Sequence, residues 1–181
     1  LRETLAAGLL LSCGYDGALP FVDPMCGSGA LVLEAASIAT GRAPGLERSF
    51  ALERWPSFDV AILDRLREEA RQRIRRAPAP IIGSDLHAGA LAQAGRNAAR
   101  AGVEEDIVLE RAHAATRSAP SPAGLVAVNP PWGKRVELDA STLEALRVSL
   151  GMTFRHWQRA LVAPEALARK LMRRPPDGAL A

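Results

Sequence analysis

Phe21-Val22-Asp23-Pro24-Met25-Cys26-Gly27-Ser28-Gly29, running straight into the apolar-periodic segment from Ala30 to Ala39, decides the fold of this chain. A short apolar strand ends in an acid, a Gly-x-Gly turn follows, and a helix begins at once. That is the first unit of a nucleotide-binding α/β fold. Its glycines permit a tight turn and close approach of a ligand to the backbone, and the helix start presents free N–H groups. The full Gly-x-Gly-x-x-Gly dinucleotide fingerprint is not met, because Val32 stands where the third glycine would be. No Gly-Lys-Ser/Thr ending for a nucleoside triphosphate is present either. What remains suits a cofactor with an adenosine but no pyrophosphate, and S-adenosylmethionine is such a molecule.

Working outward, Pro80-Ile81-Ile82-Gly83-Ser84-Asp85 reads as a second buried strand ending in an acid, with a helix from about His87 to Ala101 behind it. An acid at that strand tip accepts hydrogen bonds from ribose hydroxyls in such folds. The same position also suits a helix N-cap, so both roles stand open for Asp85. Farther on, Gly124-Leu125-Val126-Ala127-Val128 runs into Asn129-Pro130-Pro131-Trp132. Two prolines fix the backbone and keep the Pro130 carbonyl outside any sheet ladder. The Asn129 amide oxygen and that carbonyl form a pair of acceptors for the two hydrogens of an exocyclic amine on a planar base. They would turn its lone pair outward and stabilise the positive charge that develops on nitrogen. Trp132 offers a face for stacking. Standing alone, the stretch could equally be a Pro-rich turn after a buried strand. The order of glycine loop, strand-end acid and Asn-Pro-Pro-Trp puts all three on one sheet edge, outside the carboxyl ends of the strands, where such folds bind ligands.

Taken together, Asp23 to Gly29, Ala43-Pro44-Gly45-Leu46, Arg48-Ser49-Phe50-Ala51, Trp55-Pro56, Gly83-Ser84-Asp85 and Asn129-Pro130-Pro131-Trp132-Gly133 resemble the THUMP-associated RNA guanine-N2 methyltransferases. The bacterial large-subunit ribosomal RNA methylases are the type in view. The glycine loop and Asn-Pro-Pro-aromatic element are shared with DNA adenine methylases, whereas the insertion at about 41–57 points to the RNA group. The resemblance implies a Rossmann-like, class I S-adenosylmethionine-dependent methyltransferase that modifies the N2 amine of a guanosine in RNA, ribosomal RNA foremost. It implies Asp23, Pro24, Cys26, Gly27, Ser28, Gly29, Asp85, Leu86, His113 and Asn129 around the cofactor. Asn129, Pro130, Pro131 and Trp132 would form the catalytic loop. No metal, no membrane and a cytoplasmic setting go with it, and the oligomeric state is left open. It also implies one methyltransferase domain over 1–181, a fragment lacking the RNA-binding module expected ahead of it. Two positions depart from the pattern. Trp132 replaces the usual tyrosine or phenylalanine, and His113 stands after the third strand where the family usually carries an aspartate near the adenine. DNA adenine-N6 methylation and a catalytically silent RNA-binding domain are the alternatives.

Composition agrees. The 181 residues make one domain of ordinary size, 48% of them hydrophobic, which is enough to bury a core. No stretch is apolar enough to cross a membrane, and no signal peptide is visible. Cys13 and Cys26 give no disulfide or metal spacing, and the histidines are scattered. Cys26 reads as a small residue tolerated at a tight turn. A net charge of +3, carried mostly by arginine, permits nucleic-acid binding without demanding it. The densest run, Arg65 to Arg76, lies on an expected helix at 58–76, with Val60, Leu63, Leu66, Ala70 and Ile74 at core spacing and its charges on a solvated face. Lys134 and Arg135 are the better candidates for phosphate contact. Further expected elements are an N-terminal helix, strand 20–23, helix 29–40, strands 80–85, 107–110 and 124–128, helical segments near 140–159, a strand near 160–163, and a helix opened by Pro164-Glu165.

Overall fold

The computed structural model describes residues 1–132, 139–172 and 178. Its strands are β1 (Phe21–Asp23), β2 (Ile81–Asp85), β3 (Val108–Arg111), β4 (Leu125–Val128) and β5 (Gln158–Leu161). The helices are α1 (Glu3–Ser12), α2 (Ala30–Thr40), α3 (Val60–Gln72), α4 (Ala88–Ala101), α5 (Ala140–Val148) and α6 (Glu165–Leu171). All four strand pairings are parallel, in the order β3-β2-β1-β4-β5. The expected Rossmann-like α/β sheet is therefore present. Every carboxyl end lies on one edge, and the order reverses beside β1, where open α/β sheets bind ligands.

Strand alternation sorts the core into two layers. Phe21, Ile81, Leu125 and Ala127 face one cluster with Leu10 of α1, Leu31 and Ala35 of α2, and Ala98 of α4. Val22, Ile82, Val126 and Val128 face the other, with Leu146 of α5, Leu150, Phe154, Trp157 and Leu171 of α6. Because both faces are covered, β1 and β4 are buried at every position, which explains their unbroken apolar sequence. Truncating Phe21 or Phe154, both fully buried, would cost roughly 3–5 kcal/mol.

The region from 41 to 76 departs from expectation. No residue of α3 is buried; Val60 and Leu66 are exposed, and Leu63, Ala70 and Ile74 are half-buried. The apolar spacing does not mark a core face. Arginines attach the helix instead. Arg67 Nη2 donates to the Arg48 carbonyl at 2.9 Å and to Glu53 Oε1 at 3.2 Å, and Arg71 pairs with Glu47. The inserted segment is thus tied to α3 by polar contacts, and it carries a short 3₁₀ turn at Ala51–Arg54. The tail differs in detail as well. α5 ends in a π-helical turn at Ser149–Thr153, and Pro164 is the N-cap of α6. Among the described residues no helix is long and apolar enough to cross a membrane.

Candidate active site

Three neighbouring strand ends build the site. Register pairs Asp23 with Gly83 and Val22 with Val126, so Asp23 lies between the end of β2, Asp85, and the residue after β4, Asn129. Asp23 is 2% exposed and its Oδ1 accepts the Met25 N–H at 3.0 Å. Burial raises its carboxyl to about 8; the Met25 N–H opposes the shift and the nearby Asp85 charge adds to it. A buried acid beside a second acid favours a cation in their vicinity.

Asp85 is a clamp. Its Oδ2 accepts the Gly27 N–H at 3.0 Å and its Oδ1 accepts the His87 N–H at 2.9 Å. The N-cap of α4 is His87, so Asp85 holds the turn into that helix without capping it. An ionised carboxylate has about four acceptor sites, which leaves room for ribose hydroxyls beside the two backbone donors.

The two glycines of the loop serve different ends. Gly29 has a left-handed backbone (φ +92) that strains any side chain, and a Cβ there would lie 3.2 Å from Ala94 Cβ and displace the tip of Leu33. It packs α2 against α4. Gly27 (φ +54) is left-handed too, yet a Cβ there would meet nothing within 4 Å. Its bare face opens outward and offers the close backbone approach a ligand needs. Pro24 is buried behind the loop and Ser28 is exposed on it. Cys26 is buried, and desolvation, with the Asp23 and Asp85 charges, pushes its thiol well above the ordinary range. It is a packed residue and no nucleophile.

Asn97 is a contributor that the sequence gives no reason to single out. From α4 its Nδ2 donates to the Ser28 carbonyl at 3.0 Å, and Gln93 Nε2 donates to Asn97 Oδ1 at 2.9 Å. The pair fastens the glycine loop to α4.

On the far side of β2, the Ala112 N–H donates to the Asp85 carbonyl at 3.3 Å, and Arg111 Nε donates to the Leu86 carbonyl at 3.0 Å. Leu86 is exposed. His113 therefore stands beside the Asp85–Leu86 corner. Its Nδ1 accepts the Ala115 N–H at 3.2 Å and caps the turn Ala114–Thr116. With Nδ1 accepting that N–H, the ring's remaining N–H is on Nε2.

At the β4 end, Asn129 is half-buried and Pro130 buried. Trp132 is 49% exposed, and its indole N–H donates to Asn129 Oδ1 at 3.2 Å and to the Val162 carbonyl at 3.0 Å. Gly133, Lys134 and Arg135 lie outside the described residues. Among the described residues no group of three or more His, Cys, Asp or Glu is placed to hold a metal.

Known proteins are similar to this chain in sequence and fold. The chain is 41% identical over 143 residues to a ribosomal RNA large subunit methyltransferase K/L of Vibrio campbellii, which covers 75% of this chain and 20% of that protein. The structure of SMU.472, a candidate methyltransferase in complex with SAH, superposes with a TM-score of 0.81 at 30% identity, over 94% of this chain and 46% of the other. A predicted N6-adenine-specific DNA methylase from Listeria monocytogenes gives a TM-score of 0.82 at 29% identity, over 94% and 46%. The chain thus spans about a fifth of the curated relative and under half of each of these solved chains. The sequence profile described as RMKL-like, methyltransferase domain, matches residues 1–173, and this chain belongs to that methyltransferase family.

Proposed function

We propose that this chain transfers a methyl group from S-adenosylmethionine to the exocyclic N2 amine of a guanosine in RNA, with large-subunit ribosomal RNA as the substrate. The observation that carries the reading is the adjacency, on one sheet edge, of a buried acid, Asp23, a half-buried one, Asp85, and an Asn-Pro-Pro-aromatic loop. The identity to a ribosomal RNA methyltransferase supports the RNA substrate.

The chain's residues fit that cofactor. Gly27 offers an open backbone face, Asp85 has free acceptor sites for ribose hydroxyls, and Asp23 is a buried acid that a cation would satisfy. Leu86 and the segment leading to His113 adjoin Asp85. When bound, the cofactor supplies an electrophilic methyl group on a sulfonium.

The protein's part is to make a poor nucleophile competent. The amine lone pair of guanine is delocalised into the ring, and its two N–H groups need acceptors that hold them out of the ring plane. Asn129 Oδ1 has one lone pair left beside the indole contact. The Pro130 carbonyl is the second acceptor, and neither Pro130 nor Pro131 has an N–H to compete for it. Both acceptors lie where positive charge develops on nitrogen, and they are in place before the reaction. The exposed face of Trp132 is free to stack on the base, which must leave its helix to arrive there.

Incubation of the domain with labelled S-adenosylmethionine, and with either unmodified large-subunit ribosomal RNA or duplex DNA, tests the proposal. Label in the RNA supports it. Label in DNA alone, or cofactor binding with no transfer to RNA, overturns it.

A further inference from the structure

We propose that Trp132 is a positioning residue for Asn129, acting through its indole N–H and anchored on the end of the edge strand β5. This role is separate from stacking on a base, and its kinetic arm rests on the methyl-transfer reading above.

The polar atoms at this corner form a closed ring. The Val162 N–H donates to the Val128 carbonyl at 3.0 Å, which carries the β4–β5 ladder one residue beyond β5. The Val162 carbonyl then accepts the Trp132 indole N–H at 3.0 Å, and the same N–H reaches Asn129 Oδ1 at 3.2 Å. Asn129 directly follows Val128, so the ring closes on the strand where it began. The indole is what closes it. The two residues between Asn129 and Trp132 are prolines, with no backbone N–H to pin the loop. Phenylalanine at 132 would bring no donor, and tyrosine would place its hydroxyl beyond the ring on the long axis, away from the indole N–H position.

The ring also decides which way the amide faces. An Asn side chain has an acceptor at one end and donors at the other. With Oδ1 toward the indole, the N–H meets an acceptor. Turned over, Nδ2 would set two donors against each other. The indole therefore selects the orientation in which an amine finds an acceptor, and leaves the second lone pair of Oδ1 for it. Because Trp132 remains 49% exposed, positioning does not consume the stacking face.

Two measurements on the intact chain test this. In ¹⁵N NMR without substrate, the Trp132 indole N–H is expected to exchange with solvent markedly more slowly than that of Trp55, which is 67% exposed. Its resonance should also shift in Asn129→Ala. Exchange as fast as Trp55, or no shift in that variant, would overturn the proposal, whatever the domain methylates. The second measurement is turnover of Trp132→Phe on unmodified large-subunit ribosomal RNA, a substitution that keeps a stacking ring and removes the donor. We expect kcat to fall about tenfold, the size of one lost hydrogen bond to a group where charge develops, with KM for RNA little changed. A raised KM with intact kcat would mean that the ring acts by stacking area alone. If the unaltered chain transfers no methyl group to RNA, the functional reading fails, and the exchange measurement still decides the role of Trp132.

Discussion

The two halves of the sheet edge are built on opposite plans. At β1 and β2, acids bind the protein's own backbone: Asp23 is buried against Met25, and Asp85 spans Gly27 and His87. At β4 and β5, Asn129 is half-buried and Trp132 exposed, and the indole N–H links Asn129 to the end of β5. The first half is tied together by its own hydrogen bonds. The second leaves Asn129 half-buried beside an exposed indole. Cofactor affinity and turnover should therefore be separable by mutation, one half at a time.

The sharpest break is Asn129→Ala. Transfer should fall about 100-fold or more, the typical cost of removing one preorganised group aimed at developing charge. Calorimetric affinity for S-adenosylmethionine should hold. A variant that keeps full turnover would show that this loop is not the catalytic centre.

Asp85→Ala strikes the other half. Losing charge-assisted contacts to ribose should weaken cofactor binding by roughly 1.5–3 kcal/mol. Because the same carboxylate clamps the Gly27 and His87 N–H groups, the melting temperature should drop as well. A lowered melting temperature with unchanged affinity would make the clamp purely structural.

Asp23 adds a pH signature. Its carboxyl is raised to about 8 from an ordinary value of 3.8, so the protonated form is the one that suits the folded, ligand-free domain. Its contribution is complete below about pH 4 and is lost as pH rises to about 8. Thermal melts of the ligand-free chain should show that decline, and Asp23→Asn should flatten it. A cationic cofactor favours the carboxylate, so binding near neutral pH should release a proton. Calorimetry in buffers of different ionisation heat would detect the release, and its persistence in Asp23→Asn would assign it elsewhere.

The smallest effect is expected at His113. Aspartate accepts the Ala115 N–H as a cap at least as well as imidazole does, so His113→Asp should keep the turn and leave cofactor affinity unchanged or tighter. A clear loss of affinity without unfolding would mean that the Nε2–H donates to a cofactor atom that no acid can serve.

How much of this is legible in the chain depends on whether the signal is local. The strand, Gly-x-Gly turn and helix from Phe21 to Thr40 are legible, because acid, turn and helix start are consecutive and each residue type has one good use. The strands ending at Asp85 and Val128 are legible for the same reason. The environment of α3 is not. Val60, Leu63, Leu66 and Ala70 repeat with helical period whether the helix seals a core or lies on a polar insertion, and only tertiary context chooses. Contacts across long separations are hidden altogether. Asn97 meets Ser28 across 69 positions and Trp132 meets Val162 across 30, and both acceptors are backbone carbonyls that leave no mark on residue identity. Trp132 shows as a departure from the family, yet its ring announces stacking and its N–H announces nothing.

The most direct test of the central claim is the identity of the methylated nucleoside. After the domain has acted on unmodified large-subunit ribosomal RNA with a deuterated methyl donor, the RNA is digested and its nucleosides are weighed. The label is expected in N2-methylguanosine, reduced about 100-fold or more when Asn129→Ala replaces the unaltered chain. Label in N6-methyladenosine or in a ribose-methylated nucleoside would contradict it.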